Sequence, residues 1–124
     1  MTAALLDTSV LIEPPAAERR PEQSAISVLS LGELEVGVLL AERAVERSRR
    51  LDRLTRIRDE FDPLPVDEAV VRAYASLVAS AREAKRNPRV IHTLIAATAR
   101  AHGLVLYTRD QEQAALPGVE FQLL

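Results

Sequence analysis

Three acidic residues of this chain, Asp7, Glu33 and Asp110, each follow an apolar segment. If those segments are strands of a parallel sheet, their carboxyl ends meet at one edge, which is where open α/β sheets bind ligands. Clustered carboxylates repel one another, so a site that holds three of them usually holds a hard divalent cation as well. The spacing of these residues therefore points to metal-dependent chemistry.

The elements that must position these acids alternate between strands and helices, which is typical of an α/β domain with a mainly parallel sheet. The predicted strands are residues 3–6, 24–29 and 104–108, with a final edge strand at 119–123. The predicted helices are a short one after Asp7 and longer ones at 30–41, 42–60, 67–85 and from Asn87–Pro88 to about His102. A Ser30–Glu33 capping box begins the helix at 30–41, and Gly103 caps the end of the last helix.

Length and composition predict one domain over residues 1–124, with 48% hydrophobic and 27% charged residues. We expect no membrane association, because no run of about 18 apolar residues occurs. The N-terminus lacks the pattern of a signal peptide, so a cytoplasmic protein is expected. The absence of cysteine excludes disulfides, thiolate metal sites and a cysteine nucleophile.

The net charge is −2, yet the basic residues are concentrated and almost all are Arg. Residues 41–58 contain seven Arg against three acids, a local net charge of +4. Arg suits phosphate recognition, but the same pattern also fits solvated helix faces, and both interpretations stay open. Aromatic residues make up only 3%, which argues against base stacking as the main contact with nucleic acid.

Three segments, read in order, resemble one family. They are residues 6–12 (LDTSVLI), 26–34 (ISVLSLGEL), and 94–99 (LIAATA) followed by His102-Gly103-Leu104. Together they resemble a PIN domain, and more narrowly the VapC toxins of bacterial toxin–antitoxin pairs. The resemblance runs nearly from end to end of the chain.

The resemblance implies a PIN-like, Rossmann-like parallel sheet flanked by helices. It implies an endoribonuclease that uses Mg²⁺ or Mn²⁺ to hydrolyse RNA phosphodiester bonds. It also implies a VapB-like antitoxin that blocks the site, and a homodimer. The helices over residues 31–58 are a candidate groove for the antitoxin, because Leu39 and Leu40 lie outside the apolar stripe of Leu34, Val38 and Ala41. A helix buried on two sides explains the same pattern equally well.

The family's acidic positions match Asp7, Glu33 and Asp110, so the resemblance makes these the catalytic residues, with Asp7 and Asp110 as metal ligands. Arg89 and Arg109 are the nearest candidates in sequence for contact with the RNA backbone. Each acid also has a purely structural alternative. Asp7 and Asp110 are suited to capping the helical turns that follow them, and Glu33 to completing the capping box.

His92 departs from the family pattern, because the family usually has Asp at this third acidic position. No acid occurs between Glu83 and Asp110 to replace it. A neutral imidazole prefers softer cations than Mg²⁺, so we expect weakened Mg²⁺ binding with a shift toward Mn²⁺, or no productive metal. His92 is therefore a candidate metal ligand or a hydrogen-bonded polar residue in a pocket without metal.

Two alternatives to an active nuclease follow from the sequence. One is a catalytically impaired PIN-fold module that binds antitoxin or RNA, or both, without efficient cleavage. The other is a generic α/β phosphohydrolase, which is disfavoured because the chain has no Gly-rich phosphate loop.

Overall fold

Four parallel strands form one sheet in the computed structural model, which describes residues 3–124. The sheet order is β2–β1–β3–β4, with β1 at Ala3–Leu6, β2 at Gln23–Ala25, β3 at Val105–Thr108 and β4 at Phe121–Leu123. The helices are α1 (Thr8–Ile12), α2 (Val28–Leu40), α3 (Ala44–Glu60), α4 (Glu68–Glu83), α5 (Val90–Ala101) and α6 (Gln111–Ala114), with a 3-10 turn at Ala17–Arg19. The predicted α/β class with a parallel sheet is confirmed, and β4 is an edge strand as expected.

The two central strands bring distant parts of the chain side by side. Leu5 of β1 lies opposite Leu106 of β3, and the backbone N–H of Asp7 donates to the carbonyl of Tyr107 over 2.9 Å. Both strands run in the same direction, so the residues that follow them emerge at the same edge. This register carries Asp7 and the segment after Thr108 to one end of the sheet.

Helices cover both faces of the sheet because side chains alternate along each strand. Leu5 and Leu106 point to one face, where α4 and α5 contribute a fully buried layer: Val70, Leu77, Ala81, Ile95, Ala96, Ala97 and Ala99. Ala4 and Tyr107 point to the other face and pack against Val10 of α1. The site-bearing edge is therefore fixed by a core on either side of the sheet.

The predicted strand at 24–29 is wrong in its second half. The strand ends at Ala25, and α2 begins at Val28 with Ser27 as its N-cap, whose Oγ accepts from the N–H of Leu29 over 3.1 Å. A short apolar run has no periodicity that separates a buried strand from a buried helix, and here the helix forms. Glu33 therefore lies one turn further into its helix than predicted, and eight positions after the end of β2.

The helix predicted to start at Asn87–Pro88 starts later, at Val90, with Arg89 in the N-cap position. The backbone carbonyl of Arg89 accepts from the Thr93 hydroxyl over 2.6 Å, while Arg89 makes no side-chain cap. At the other end the prediction is confirmed. Gly103 adopts φ 65° after His102, and the N–H of Leu104 returns to the carbonyl of Ala99 over 2.8 Å.

The apolar stripe of α2 is buried at Leu34 and Val38, whereas Leu39 and Leu40 are 68% and 71% exposed. The alternative of a helix buried on two sides is therefore wrong at these two positions. Within residues 3–124, no helix combines the length and the apolar character that crossing a membrane would require.

Candidate active site

Asp7 follows β1 directly and is buried, with only 1% of its surface exposed. Its Oδ2 accepts hydrogen bonds from the hydroxyls of Ser9 (2.9 Å) and Thr108 (2.8 Å). Asp7 occupies the N-cap position of α1, but its side chain makes no capping hydrogen bond. The structural alternative of a helix-capping Asp7 is therefore wrong, and the side chain is positioned by hydroxyls instead.

Thr108 links the two ends of the acidic edge. Its hydroxyl donates to Asp7 and accepts from the backbone N–H of Asp110 over 3.0 Å. Thr108 is fully buried at the end of β3, so this hydroxyl has little freedom to move. Asp7 and Asp110, which are distant in sequence, are thereby tied to the same buried side chain.

Asp110 has both carboxylate oxygens engaged. Its Oδ1 accepts from the N–H of Glu112 over 2.9 Å and so caps α6, as the structural alternative for this residue predicted. Its Oδ2 lies 2.7 Å from Nη2 of Arg89. Only 20% of the Asp110 side chain is exposed, whereas 62% of the Arg89 side chain is.

Glu33 reaches the edge from α2 through Thr8. The Thr8 hydroxyl donates to Oε1 of Glu33 over 2.6 Å and lies 2.9 Å from the hydroxyl of Ser30. A hydroxyl carries one proton, so Ser30 must be the donor to Thr8. The predicted Ser30–Glu33 capping box is therefore wrong, because these side chains are used to hold Glu33 beside α1.

His92 stands between two of the acids. Its Nδ1 lies 3.7 Å from Oδ2 of Asp110, and its Nε2 lies 4.0 Å from Oε2 of Glu33. Gln113, itself 3% exposed, donates from Nε2 to the His92 carbonyl over 2.8 Å and has its Oε1 3.3 Å from Nδ1. Because the Gln113 oxygen faces Nδ1, Nδ1 must be the donor of that hydrogen bond. In a neutral ring Nε2 then carries no proton, and its lone pair points toward Glu33.

The two Arg residues named from the sequence behave differently. Arg89 pairs with Asp110 and lines an open cleft of about 270 Å³ together with Arg86, His92 and Gln113. Arg109 instead donates from Nε to the backbone carbonyl of Glu13 over 2.9 Å. Arg89 thus contacts the acidic edge with its side chain, and the Arg109 side chain holds the end of α1.

The donor set fits a divalent cation in its chemistry, because carboxylate oxygens are the ligands that Mg²⁺ and Mn²⁺ prefer. Asp7 gives the clearest indication that the site is suited to a cation. Its Oδ1 is buried and has no hydrogen-bond partner in the structure, a costly state for a carboxylate oxygen that lacks a cation or water. Yet within residues 3–124 no three His, Asp or Glu side chains are grouped closely enough to hold a metal ion as they stand.

Sequence reasoning named the three acids, His92 and the hydroxyls of Thr8, Ser9 and Thr108, but it missed Gln113. A Gln within a four-residue helix carries no signal that it will be buried against a His 21 positions away. The placement of Ser30 was also missed, since its spacing from Glu33 matched a capping box.

The fold and this edge define an α/β domain with carboxylates, hydroxyls and one imidazole at the carboxyl end of a parallel sheet. The PIN domain family matches residues 4–119. That match covers most of the chain, and the chain belongs to the PIN-domain family.

The chain is also similar to individual proteins of the VapC group. Ribonuclease VapC4 of Mycobacterium tuberculosis is 43% identical over 122 residues, which cover 94% of this chain and 93% of that protein. Ribonuclease VapC8 of the same species is 45% identical over 100 residues, covering 77% and 88%. The resemblance to VapC-type ribonucleases is confirmed.

Solved structures with a similar fold include proteins of toxin–antitoxin systems. The crystal structure of VapBC-5, a member of the VapBC family of toxin–antitoxin systems from Mycobacterium tuberculosis, superposes with a TM-score of 0.89 at 35% identity, covering 100% of this chain and 98% of that one. The FitAcB structure from Neisseria gonorrhoeae superposes with a TM-score of 0.79 at 29% identity, covering 95% of each chain. The predicted PIN-like architecture is therefore confirmed.

Proposed function

We propose that this chain is a metal-dependent endoribonuclease, the toxin of a VapBC-type toxin–antitoxin pair, and that it hydrolyses RNA phosphodiester bonds with Asp7, Glu33 and Asp110. Membership of the PIN-domain family and identity to two named VapC ribonucleases support the activity. Divalent-metal dependence is general in this family. The observation that carries the site assignment is Asp7, buried and fixed by two hydroxyls with one oxygen left without a partner.

Asp7 and Asp110 would hold the cation, which we propose to be Mg²⁺ or Mn²⁺. A divalent ion bound there would supply Lewis-acid activation of water and offset charge on the phosphate. His92 Nε2 is a third candidate ligand and favours Mn²⁺, because imidazole prefers softer cations. Thr108 and Ser9 keep Asp7 in place, so the ligand geometry is prepared before substrate arrives.

Glu33 is the proposed general base. Its Oε1 is held by Thr8, while Oε2 remains available to accept a proton from the attacking water. The water oxygen would form the new bond to phosphorus as the bond from phosphorus to the leaving oxygen breaks. Arg89 is proposed to contact the RNA backbone because it lines the open cleft at the acidic edge, whereas the side chain of Arg109 is held by Glu13 at the end of α1.

The partner proposed is a VapB-like antitoxin, since the solved relative with 35% identity is a VapBC toxin–antitoxin structure. The exposed pair Leu39 and Leu40 supports an apolar contact on α2. Replacing both by Ala should weaken antitoxin binding, whereas Val71→Ala, at a position 50% exposed on α4, should not. Unchanged affinity of the double variant would exclude this surface.

A homodimer and a cytoplasmic location complete the proposal and rest on the family resemblance. Sedimentation equilibrium of the antitoxin-free chain tests the first. Fractionation of the producing cells tests the second.

A second candidate is a PIN-fold module that binds antitoxin or RNA without efficient cleavage. Two observations favour it: His92 stands at the third acidic position, and Asp110 is already paired with Arg89. This candidate predicts antitoxin binding without metal-stimulated cleavage.

Cleavage of total cellular RNA by the antitoxin-free chain separates the two candidates. Mg²⁺, Mn²⁺ and a chelator are compared, with His92→Asp in parallel. Metal-stimulated cleavage by the parent supports the nuclease. Cleavage by His92→Asp alone supports the impaired module, and cleavage that survives chelation contradicts the metal-dependent mechanism.

A further inference from the structure

We infer that Arg89 is an internal counter-ion of the site, which a divalent cation must displace from Asp110 before Asp110 can become a ligand. This inference rests on the proposed function, since it takes Asp110 as a metal ligand. It makes Arg89 a residue that sets metal affinity, a role distinct from contact with RNA.

Each carboxylate oxygen of Asp110 already accepts one hydrogen bond. Oδ1 is held by the N–H of Glu112 in the cap of α6, and Oδ2 is held by Arg89 at 2.7 Å. The N-cap contact belongs to the backbone of α6 and would be lost only if that helix start moved. The guanidinium contact is the one that exchange can release, because a divalent cation on Oδ2 would lie next to the positive charge of Arg89 and be repelled by it.

Exposure decides which partner moves. The Arg89 side chain is 62% exposed and can return to water, whereas the Asp110 side chain is 20% exposed and is held by its cap. An ion pair at such an exposed Arg is worth little, so it can be broken by a cation that binds Asp110 more strongly. The pair therefore lowers metal affinity modestly and does not abolish binding.

No other Arg in residues 3–124 forms an ion pair with a proposed site acid. Arg86 lines the same cleft, but its guanidinium donates to the backbone carbonyls of Ala115 (2.8 Å) and Glu112 (3.1 Å). Arg86 thus brings the same formal charge to the same cleft without occupying a carboxylate. It is the matched control for the effect of charge alone.

Arg89 also lies three positions before His92, so both act on Asp110 from the N-terminal end of α5. The imidazole removes one negative charge relative to the family's acid, and Arg89 offsets another. Both changes weaken the attraction of the site for a divalent cation. Their effects should not simply add, because both side chains approach Oδ2 of Asp110.

The test is a calorimetric titration of the antitoxin-free full chain with Mn²⁺ alone, for the parent, Arg89→Gln, Arg86→Gln and Asp110→Asn. We expect Arg89→Gln to bind Mn²⁺ about two- to fivefold more tightly, the range that an exposed ion pair supplies, and Arg86→Gln to match the parent. Asp110→Asn should bind more weakly than the parent.

Equal affinity of the parent and Arg89→Gln, with Asp110→Asn weakened, would overturn the role of Arg89 and leave the proposed metal site standing. An equal gain in Arg89→Gln and Arg86→Gln would also overturn it, since charge alone would then explain the effect. Absence of Mn²⁺ binding in every variant would overturn both this inference and the proposed function.

Discussion

Thr108 donates a hydrogen bond to Oδ2 of Asp7 over 2.8 Å, although 101 positions separate the two residues in the chain. The same hydroxyl accepts from the backbone N–H of Asp110. One buried oxygen therefore sets the relative positions of the residues that follow β1 and β3. The acidic edge depends on this contact as much as on the acids themselves.

Replacing Thr108 by Val should disturb both acids, because Val keeps the shape of the side chain but lacks its hydroxyl. Asp7 Oδ2 would keep one donor, and the N–H of Asp110 would lose its acceptor. We expect a loss of about 1–3 kcal/mol in the free energy of unfolding, measured with urea, together with slower RNA cleavage. Thr55→Val on the exposed face of α3 is the control. Equal stability of the two variants would contradict the account.

Glu33→Gln should separate function from stability. Glu33 lies inside α2 and does not cap it, so the substitution should leave the free energy of unfolding within about 0.5 kcal/mol of the parent value. The amide cannot accept a proton as a general base does, so cleavage should fall by about 100-fold or more. Glu35→Gln, which removes an exposed partner of Arg58, should leave cleavage unchanged. Full activity of Glu33→Gln would exclude Glu33 as the base.

Two glycines should respond to alanine in opposite directions. Gly118 has φ 87°, and an added Cβ would lie 2.9 Å from Nη1 of Arg100, so Gly118→Ala should cost about 1–2 kcal/mol of unfolding free energy. Gly32 lies inside α2 with nothing within 4 Å of an added Cβ, so Gly32→Ala should stabilise by about 0.5–1 kcal/mol. Thermal unfolding of both variants measures the difference, and a shared sign would contradict the described backbone.

The parts of the fold that could be predicted are those with strong local signals. β1 and β3 are short apolar runs that end at a polar residue, and Gly103 marks the end of α5. These signals were enough to predict a parallel sheet with Asp7 and Asp110 at one edge. At these positions the local conformational preferences of the residues agree with the tertiary structure.

The start of α2 could not be predicted in the same way. Ser27 and Ser30 both precede apolar helical positions, and the sequence fits either as a cap. The choice is made by tertiary contacts, because Ser30 is buried against Thr8, 22 positions away. Glu33 was therefore predicted in the first turn of a helix capped by Ser30, whereas it lies in the second turn of a helix capped by Ser27.

The pairing of Arg89 with Asp110 also lay outside the reach of sequence reasoning. The two residues are 21 positions apart, and charge pattern alone does not show which of many Arg residues contacts a given acid. His92, by contrast, was noticed because it interrupts a motif. A departure from a pattern is visible in sequence, but the partners that the new side chain acquires are not.

Whether the acidic edge is the active site can be measured as the rate of Mn²⁺-stimulated RNA cleavage by Asp7→Asn, compared with the parent and with Asp52→Asn at an exposed position of α3. Asn keeps the size of the side chain but removes the charge that would hold the cation. We expect a loss of at least about 100-fold for Asp7→Asn and none for Asp52→Asn. Cleavage by Asp7→Asn at the parental rate would contradict the assignment of this edge as the active site.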